Sequence, residues 1–418
     1  MAKIIGICEL GGYLGHISKI TSLLQRLQAL GHEVVAVLPD ISFVAFMEAQ
    51  DMPIPYLIGP KLPMPPFKTS RDPVNLSEVL LCAGLGTDSV LTPCADAWRQ
   101  LLTLLNADLI LADYAPTPLL AARCLQVPAV VLGTGFSVPP SVSPLPAFNR
   151  RLVIQEAALK TSEAQLLTAL NTYLARHQGP LLDSVSDLFW QTAQVAITHA
   201  QELDHFAQGR PANTQYFGLA TQMPGGLNVQ WPDGAGKRVF AYLKTEYSGL
   251  VDLLSLLAAL PVVAVVYISG EKAEQFLTMQ TERVQIYLAP VDLTLLMPSA
   301  DWLIYHAGSG MASQALVCGK PSILIPTHYE QLFTAEALAA RHLGYVLNPH
   351  WPPARMEASV RQAFADSDMP KQCQALAGRG NNLGQDELVA CIDGIAKHSW
   401  DSKTMSLAAS GILLRKIP

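Results

Sequence analysis

A chain of 418 residues of which half are hydrophobic can bury two cores, and its length favours two or three domains. Charged residues make up only 15% and the net charge is −6, so no basic field is available to hold nucleic acid and that partner class is set aside. The 7 cysteines form no Cys-x-x-Cys pair and read as free thiols of a reducing compartment. The longest apolar stretch, Leu250 to Ile268, is broken by Pro261, which argues against a membrane span.

The N-terminus is read as a strand over Lys3 to Glu9 rather than a signal peptide, since it lacks a long apolar core and a small-residue cleavage site, and a cytoplasmic location is expected. A helical repeat over Ile17 to Leu30 stops at Gly31, and Glu33 to Leu38 is a second strand. Strands at Asp108 to Ala112, Ala129 to Gly133 and Val195 to Thr198, with a helix over Pro118 to Leu125, continue the alternation. Such alternation implies a parallel sheet with helices on both faces. The proline-rich stretches Pro53 to Pro66 and Pro139 to Pro146 read as loops, or as walls of an acceptor pocket at the sheet's carboxyl edge.

A stretch dense in glycine and proline between Gly218 and Lys237 reads as a linker, with Gly225-Gly226 as a hinge candidate. A second alternation follows, with strands at Val239 to Leu243, Val262 to Ile268, Val284 to Leu288, Trp302 to Tyr305 and Ser322 to Ile325. Helices at Glu357 to Ala365 and Gln385 to Lys397 close it. The expected division is 1–220 for a first Rossmann-like domain, 221–236 for the linker, 237–398 for a second Rossmann-like domain and 399–418 for a tail. The fold class is therefore α/β.

The strand Asp301 to Tyr305 runs into His306-Ala-Gly308-Ser309-Gly310, after which Met311 to Val317 reads as a helix. A helix that begins where a parallel strand ends presents unpaired N–H groups at the positive end of its dipole, a seat for a phosphate. His306 is a candidate additional donor, and Lys244, after the first strand of the second half, a candidate cation for a diphosphate. In the first half, Gly11-Gly12-Tyr13-Leu14-Gly15-His16 places an imidazole at the sheet's carboxyl edge, where open α/β folds bind ligands. On the residues alone His16 is a loop histidine at a helix start, and Asp113 a strand-end carboxylate suited to cap the helix near Thr117.

These motifs carry a resemblance. His306-Ala-Gly308-Ser309-Gly310-Met311, then Ala315-Leu-Val-Cys-Gly319-Lys-Pro321, then Glu330-Gln331 resemble the donor motif of two-domain GT-B glycosyltransferases, in particular the UDP-glycosyltransferase and macrolide-glycosyltransferase family. That motif reads roughly His-Gly-Gly-x-Gly-Thr, Ala-Leu-x-x-Gly-x-Pro, Asp-Gln. Ala307 and Met311 depart from it, standing for a glycine and a threonine. The resemblance implies two Rossmann-like domains facing a central cleft, with the last helix crossing back onto the first domain. It implies His16 as catalytic base paired with Asp113, a nucleoside diphosphate at His306, Gly308, Ser309, Gly310 and Lys244, and donor-sugar hydroxyls at Glu330 and Gln331. The nucleotide base would lie by Pro290 and Val291, Val291 standing where glutamine is common, and Lys19 stands where a proline often follows the histidine.

The implied activity is inverting, metal-independent transfer of a sugar from a UDP or TDP sugar to a hydroxyl of a small-molecule or lipid acceptor. No cofactor, metal or nucleic acid takes part. A lipid acceptor would suit a peripheral place on the inner membrane face, and no oligomeric state is assigned. Asp366-Ser-Asp368 reads as a solvated turn rather than a metal motif. Three rivals remain. A dinucleotide oxidoreductase would use Gly11, Gly12 and Gly15, whose spacing is not Gly-x-Gly-x-x-Gly. A sugar-nucleotide epimerase of the same architecture would share the diphosphate turn, and a sugar-nucleotide-binding protein would have lost transfer.

Overall fold

The computed structural model describes residues 1–11, 14–49, 53–62, 72–149, 154–218, 226–377 and 384–409. The chain forms two compact units, one of Met1–Thr198, Phe206–Phe217 and Leu383–Pro418, the other of His199–His205 and Gly218–Asn382.

In the first unit the strands are β1 (Lys3–Cys8), β2 (Glu33–Leu38), β3 (Tyr56–Ile58), β4 (Leu109–Asp113), β5 (Ala129–Gly133), β6 (Gln194–Ile197) and β7 (Gln215–Tyr216). They make one parallel sheet in the order β3-β2-β1-β4-β5-β6-β7. β1, β4 and β5 are buried at successive residues, hence on both faces, which is why these segments read as unbroken apolar runs and not as alternations. The order reverses between β1 and β4, the place where an open parallel sheet leaves a crevice at its carboxyl edge.

The second unit repeats the plan with β8 (Lys237–Lys244), β9 (Val262–Ser269), β10 (Val284–Tyr287), β11 (Trp302–Tyr305), β12 (Ser322–Leu324) and β13 (Gly344–Val346), in the parallel order β10-β9-β8-β11-β12-β13. Its reversal lies between β8 and β11, so Lys244 and the turn after Tyr305 share one edge. The α/β class and the two Rossmann-like sheets are as expected from sequence.

Three features change or add to the sequence reading. The segment expected as loop around Pro53 contains β3, an edge strand whose three residues are all exposed; Pro63 to Pro66 lie outside the described residues. The segment His199–His205 belongs to the second unit, where its short helix Gln201–Leu203 packs on the helices Ser309–Val317 and Tyr329–Ala339 and His205 stacks on Phe333. The boundary expected between 398 and 399 falls inside one long helix, Gln385–Ala409, which packs within the first unit. There Asp393 Oδ1 lies 2.8 Å from His32 Nε2, Gln385 donates to Ser22, Arg26 pairs with Asp386, and Ser399 donates to the Asp108 carbonyl.

Among the described residues no helix is long and apolar enough to cross a membrane. Asp366 is a helix cap, its Oδ1 accepting from the N–H groups of Asp368 and Met369 and its Oδ2 accepting from the Tyr345 hydroxyl.

Candidate active site

In the first unit the reversal point gathers a charged cluster. Asp113 is the last residue of β4, side by side with Cys8 of β1, and is completely buried. The helix Leu14–Ala29 starts beyond β1 and carries His16 and Lys19 one turn apart, hence on one face. His16 Nδ1 lies 3.2 Å from Asp113 Oδ1, and Lys19 Nζ donates to Asp113 Oδ2 at 2.9 Å. Each carboxylate oxygen thus faces its own nitrogen. Burial alone would push the Asp113 carboxyl up, but the charges of Lys19 and His16 outweigh it and hold the pKa down at about 2.

Gly11 is the spacer. A Cβ there would come within 2.6 Å of the His16 ring and 2.7 Å of Cys8 Sγ. The Cys8 thiol donates to the Gly11 carbonyl, and burial, with Asp113 beside it, pushes its pKa up, so it stays neutral. Gly12 and Tyr13 lie outside the described residues.

The alternative role considered for Asp113, capping the helix near Thr117, is taken by Glu9. Its Oε2 accepts from the Thr117 N–H at 3.0 Å, its Oε1 accepts from the Thr117 hydroxyl, and the Cys94 thiol lies 3.8 Å away. Burial pushes the Glu9 carboxyl up to about 7 against the pull of these hydrogen bonds. Beside the pair, Tyr114 holds a left-handed backbone (φ 49), a conformation costly for a residue with a Cβ. Its ring sits 6.5 Å from His16, with Phe136 6.4 Å further on and Phe148 stacked on Phe136 at 4.5 Å. This aromatic row went unread in the sequence, where single aromatics separated by many residues carry no spacing signal. In the proline-rich segment read as a loop or as a wall of an acceptor pocket, the Pro139 carbonyl accepts from Trp190 and Arg210.

In the second unit a helix begins where β11 ends, the turn that the sequence reading singled out as a phosphate seat. The helix Ser309–Val317 begins at Gly308 with no side chain capping it, and its first internal bond runs from the Ala312 N–H to the Gly308 carbonyl. The N–H groups of Ser309, Gly310 and Met311 therefore have no partner within the helix. Ala307, the departure from glycine, sits fully buried in the left-handed region (φ 57), the conformation glycine adopts without cost. The half-buried Lys244 ends β8 beside this turn.

His306 needs correction. Its Nε2 accepts the Lys244 N–H at 2.9 Å and its Nδ1 lies 2.8 Å from the Ile325 carbonyl, so both nitrogens are tied to main chain. Burial, followed by the nearby Lys244 charge, lowers its pKa. The ring is thus a neutral strut linking β8 to the end of β12, not the phosphate donor expected; to donate it would have to release Lys244 or take up a second proton.

Gln331 is also partly committed, because its Oε1 accepts both the N–H and the hydroxyl of Thr327 at 2.9 Å. Glu330 is half-buried in the same first turn of the helix Tyr329–Ala339. His328, at the N-cap of that helix, was missed; burial lowers its pKa, Glu330 opposes this and Lys244 adds to it.

In the expected base region Pro290 is exposed and Val291 buried. Their loop is bound to the end of the linker: Leu227 donates to the Pro290 carbonyl and accepts from the Asp292 N–H. A Cβ on Gly226 would fall 2.4 Å from the Val291 carbonyl carbon, so Gly226 is a close-approach position rather than a free hinge, and Gly225 lies outside the described residues. A groove of about 510 Å³ lined by Leu227, Trp231, Gln285 and Tyr287 flanks this loop. Among the described residues no group of three or more histidine, cysteine or carboxylate side chains is placed to hold a metal.

Twin parallel sheets, each with a crevice at its reversal point, define an α/β protein of the GT-B fold. Residues 251–379 match the glycosyltransferase family 28 C-terminal domain. The whole chain is similar in fold to the spinosyn rhamnosyltransferase SpnG, at 16% identity and a TM-score of 0.68 over 95% of this chain and 100% of that one. It is similar also to the glycosyltransferase VinC, described in complex with DTDP (15% identity, TM-score 0.66, 95% of this chain and 100% of that one). A third likeness is to the glycosyltransferase SnogD from Streptomyces nogalater (17% identity, TM-score 0.64, 94% and 99%). No curated protein matches the sequence. With that domain and that fold together, the chain is a glycosyltransferase of the GT-B type.

Proposed function

We propose that the protein transfers a sugar, with inversion, from a thymidine or uridine diphosphate sugar to the hydroxyl of a small, largely apolar acceptor, with His16 as general base. The observation that carries this reading is the His16–Asp113 contact at 3.2 Å on a carboxylate that is fully buried and ionised. With Nδ1 turned to Asp113, Nε2 is the basic nitrogen. It takes the proton as the acceptor oxygen attacks the anomeric carbon, the bond from that carbon to the phosphate oxygen breaks, and the nucleoside diphosphate departs. One displacement with one base inverts the anomeric centre.

Negative charge grows on the leaving diphosphate, where the N–H groups of Ser309 and Gly310, the helix dipole and Lys244 supply fixed positive potential without a metal. Glu330 and the Gln331 amide would orient the sugar. SpnG is described with thymidine diphosphate and with spinosyn aglycone, which supports the donor class and an apolar acceptor set against Tyr114 and Phe136.

The test is calorimetric titration with UDP, TDP, GDP and NAD, with and without magnesium, followed by acceptor screening with the donor so identified. Magnesium-independent binding of one pyrimidine diphosphate, and a His16→Ala variant that keeps this affinity while transfer falls by about 10²-fold or more, is expected. Undiminished transfer in His16→Ala would sink the base assignment, and binding of NAD alone would sink the donor class.

A further inference from the structure

The carboxylate that orients His16 has a second cation on it. Lys19 Nζ donates to Asp113 Oδ2 at 2.9 Å with its side chain only 9% exposed, while His16 Nδ1 faces Oδ1. A histidine beside a lone buried carboxylate meets a full, unmatched negative charge when its proton arrives; here that charge is already matched by Lys19. The cluster of Lys19, Asp113 and His16 is neutral while the ring is neutral and becomes cationic when the ring protonates.

We propose that Lys19 is a positioning residue of the His16–Asp113 pair: it pins one carboxylate oxygen so that the other addresses Nδ1, and it cancels the carboxylate charge so that His16 remains an uncharged base into more acidic solution. This deepens the reading of His16 as base and rests on it.

Among the described residues, the other titratable groups near the pair are turned elsewhere or neutral. From β1, the Cys8 thiol is neutral and Glu9 is turned to Thr117 at the neighbouring helix N-terminus. From the end of β4, Tyr114 presents its ring 6.5 Å from that of His16. Lys19, from the same helix as His16, is the cation in direct contact with Asp113 besides His16 itself. Two cations straddling one carboxylate lie roughly 6 Å apart, and at an effective dielectric of about 20 removing one raises the titration midpoint of the other by about one to two pH units. The advantage is range and the consequence is a weaker base, which suits an acceptor hydroxyl deprotonated only as it attacks.

The experiment follows the His16 ring directly in the full-length protein labelled with [¹³Cε1]histidine, its resonance assigned by loss in His16→Asn, alongside the pH profile of kcat/KM. Lys19→Met is expected to raise both the ring's midpoint and the acidic limb of the profile by about one to two pH units, and Lys19→Arg to restore them. Glu9 titrates near the same range, so the comparison is repeated in a Glu9→Gln background, where the Lys19→Met shift is expected to persist.

An unmoved midpoint in Lys19→Met, or a rate loss uniform across pH, overturns the proposal. Should Lys19→Met not fold, the wild-type ring decides: a midpoint below about 6.5, the ordinary imidazole value, supports charge cancellation, and one well above it refutes it. A shifted midpoint together with transfer unaffected by His16→Ala would leave the role of Lys19 standing and remove the base assignment instead.

Discussion

Replacing Asp113 with asparagine keeps the shape at the end of β4 and removes one charge, so its effect can be worked out. The folded carboxyl has a pKa of about 2 against an ordinary 3.8, and at neutral pH that difference corresponds to about 2.4 kcal/mol of stability. The carboxyl is depressed, so this contribution is complete above the unfolded value and is lost as pH falls through the folded one; about half is gone by pH 3. Removing one partner of a buried ion pair costs about 3–5 kcal/mol in general, because the other charge is stranded. The linkage figure describes this site better, since asparagine still offers an oxygen to Lys19, and a loss of about 2–3 kcal/mol at pH 7 is expected. Urea unfolding of both proteins at pH 7 and pH 3 measures it, and groups titrating in both cancel in the difference. The gap between them should shrink by about 1 kcal/mol at pH 3. A gap independent of pH would mean that Asp113 is not held ionised by Lys19 and His16, and the account of the site would fall with it.

Glu9 predicts the opposite sign. Its carboxyl is raised to about 7 from an ordinary 4.5, so ionising it opposes folding: stability is highest below about 4.5 and declines as pH rises towards 7. Glu9→Gln should therefore be the more stable protein at pH 8, by roughly 1–3 kcal/mol after allowance for partial exposure, and should match wild type at pH 4; a variant less stable at pH 8 would refute the burial argument. Gly226→Ala places a methyl group 2.4 Å from the Val291 carbonyl carbon. A loss of about 1–3 kcal/mol in thermal or urea unfolding is expected, together with weaker nucleotide binding as the Pro290–Val291 loop is displaced; a neutral substitution would show that the linker end is not packed there.

Buried parallel strands could be read because they are apolar on both faces, and β2, β5 and β11 fall where the sequence reading ends them. β3 and β7 could not. β3 is exposed at each of its three residues and set among prolines, and β7 has two residues, so neither carries a periodic signal. Nor could the return of Gln385–Ala409 to the first sheet be bounded from sequence, because a helix continues across the boundary without a break in its own pattern. The docking of His199–His205 in the second unit rests on contacts with Phe333 and the helix Tyr329–Ala339, partners far along the chain that no local pattern announces.

At the candidate site, the motifs marked the turns where helices begin but not the partner of each atom. The histidine that a donor motif singles out proves to be hydrogen-bonded to main chain on both sides, and Gln331 closes the start of its own helix with its side-chain oxygen. Lys19 shows the converse. In the sequence it is a lysine where a proline is common, one turn after His16, and nothing there distinguishes a solvated helix face from a buried ion pair. Only the 94-residue reach to Asp113 decides. A desolvated ammonium inside the first unit costs several kcal/mol unless a carboxylate meets it, and Asp113 needs a cation for the same reason. A proline offers no such cation. With lysine, Asp113 would stay ionised whether or not His16 carries a proton, which would keep the proposed base oriented through each turnover.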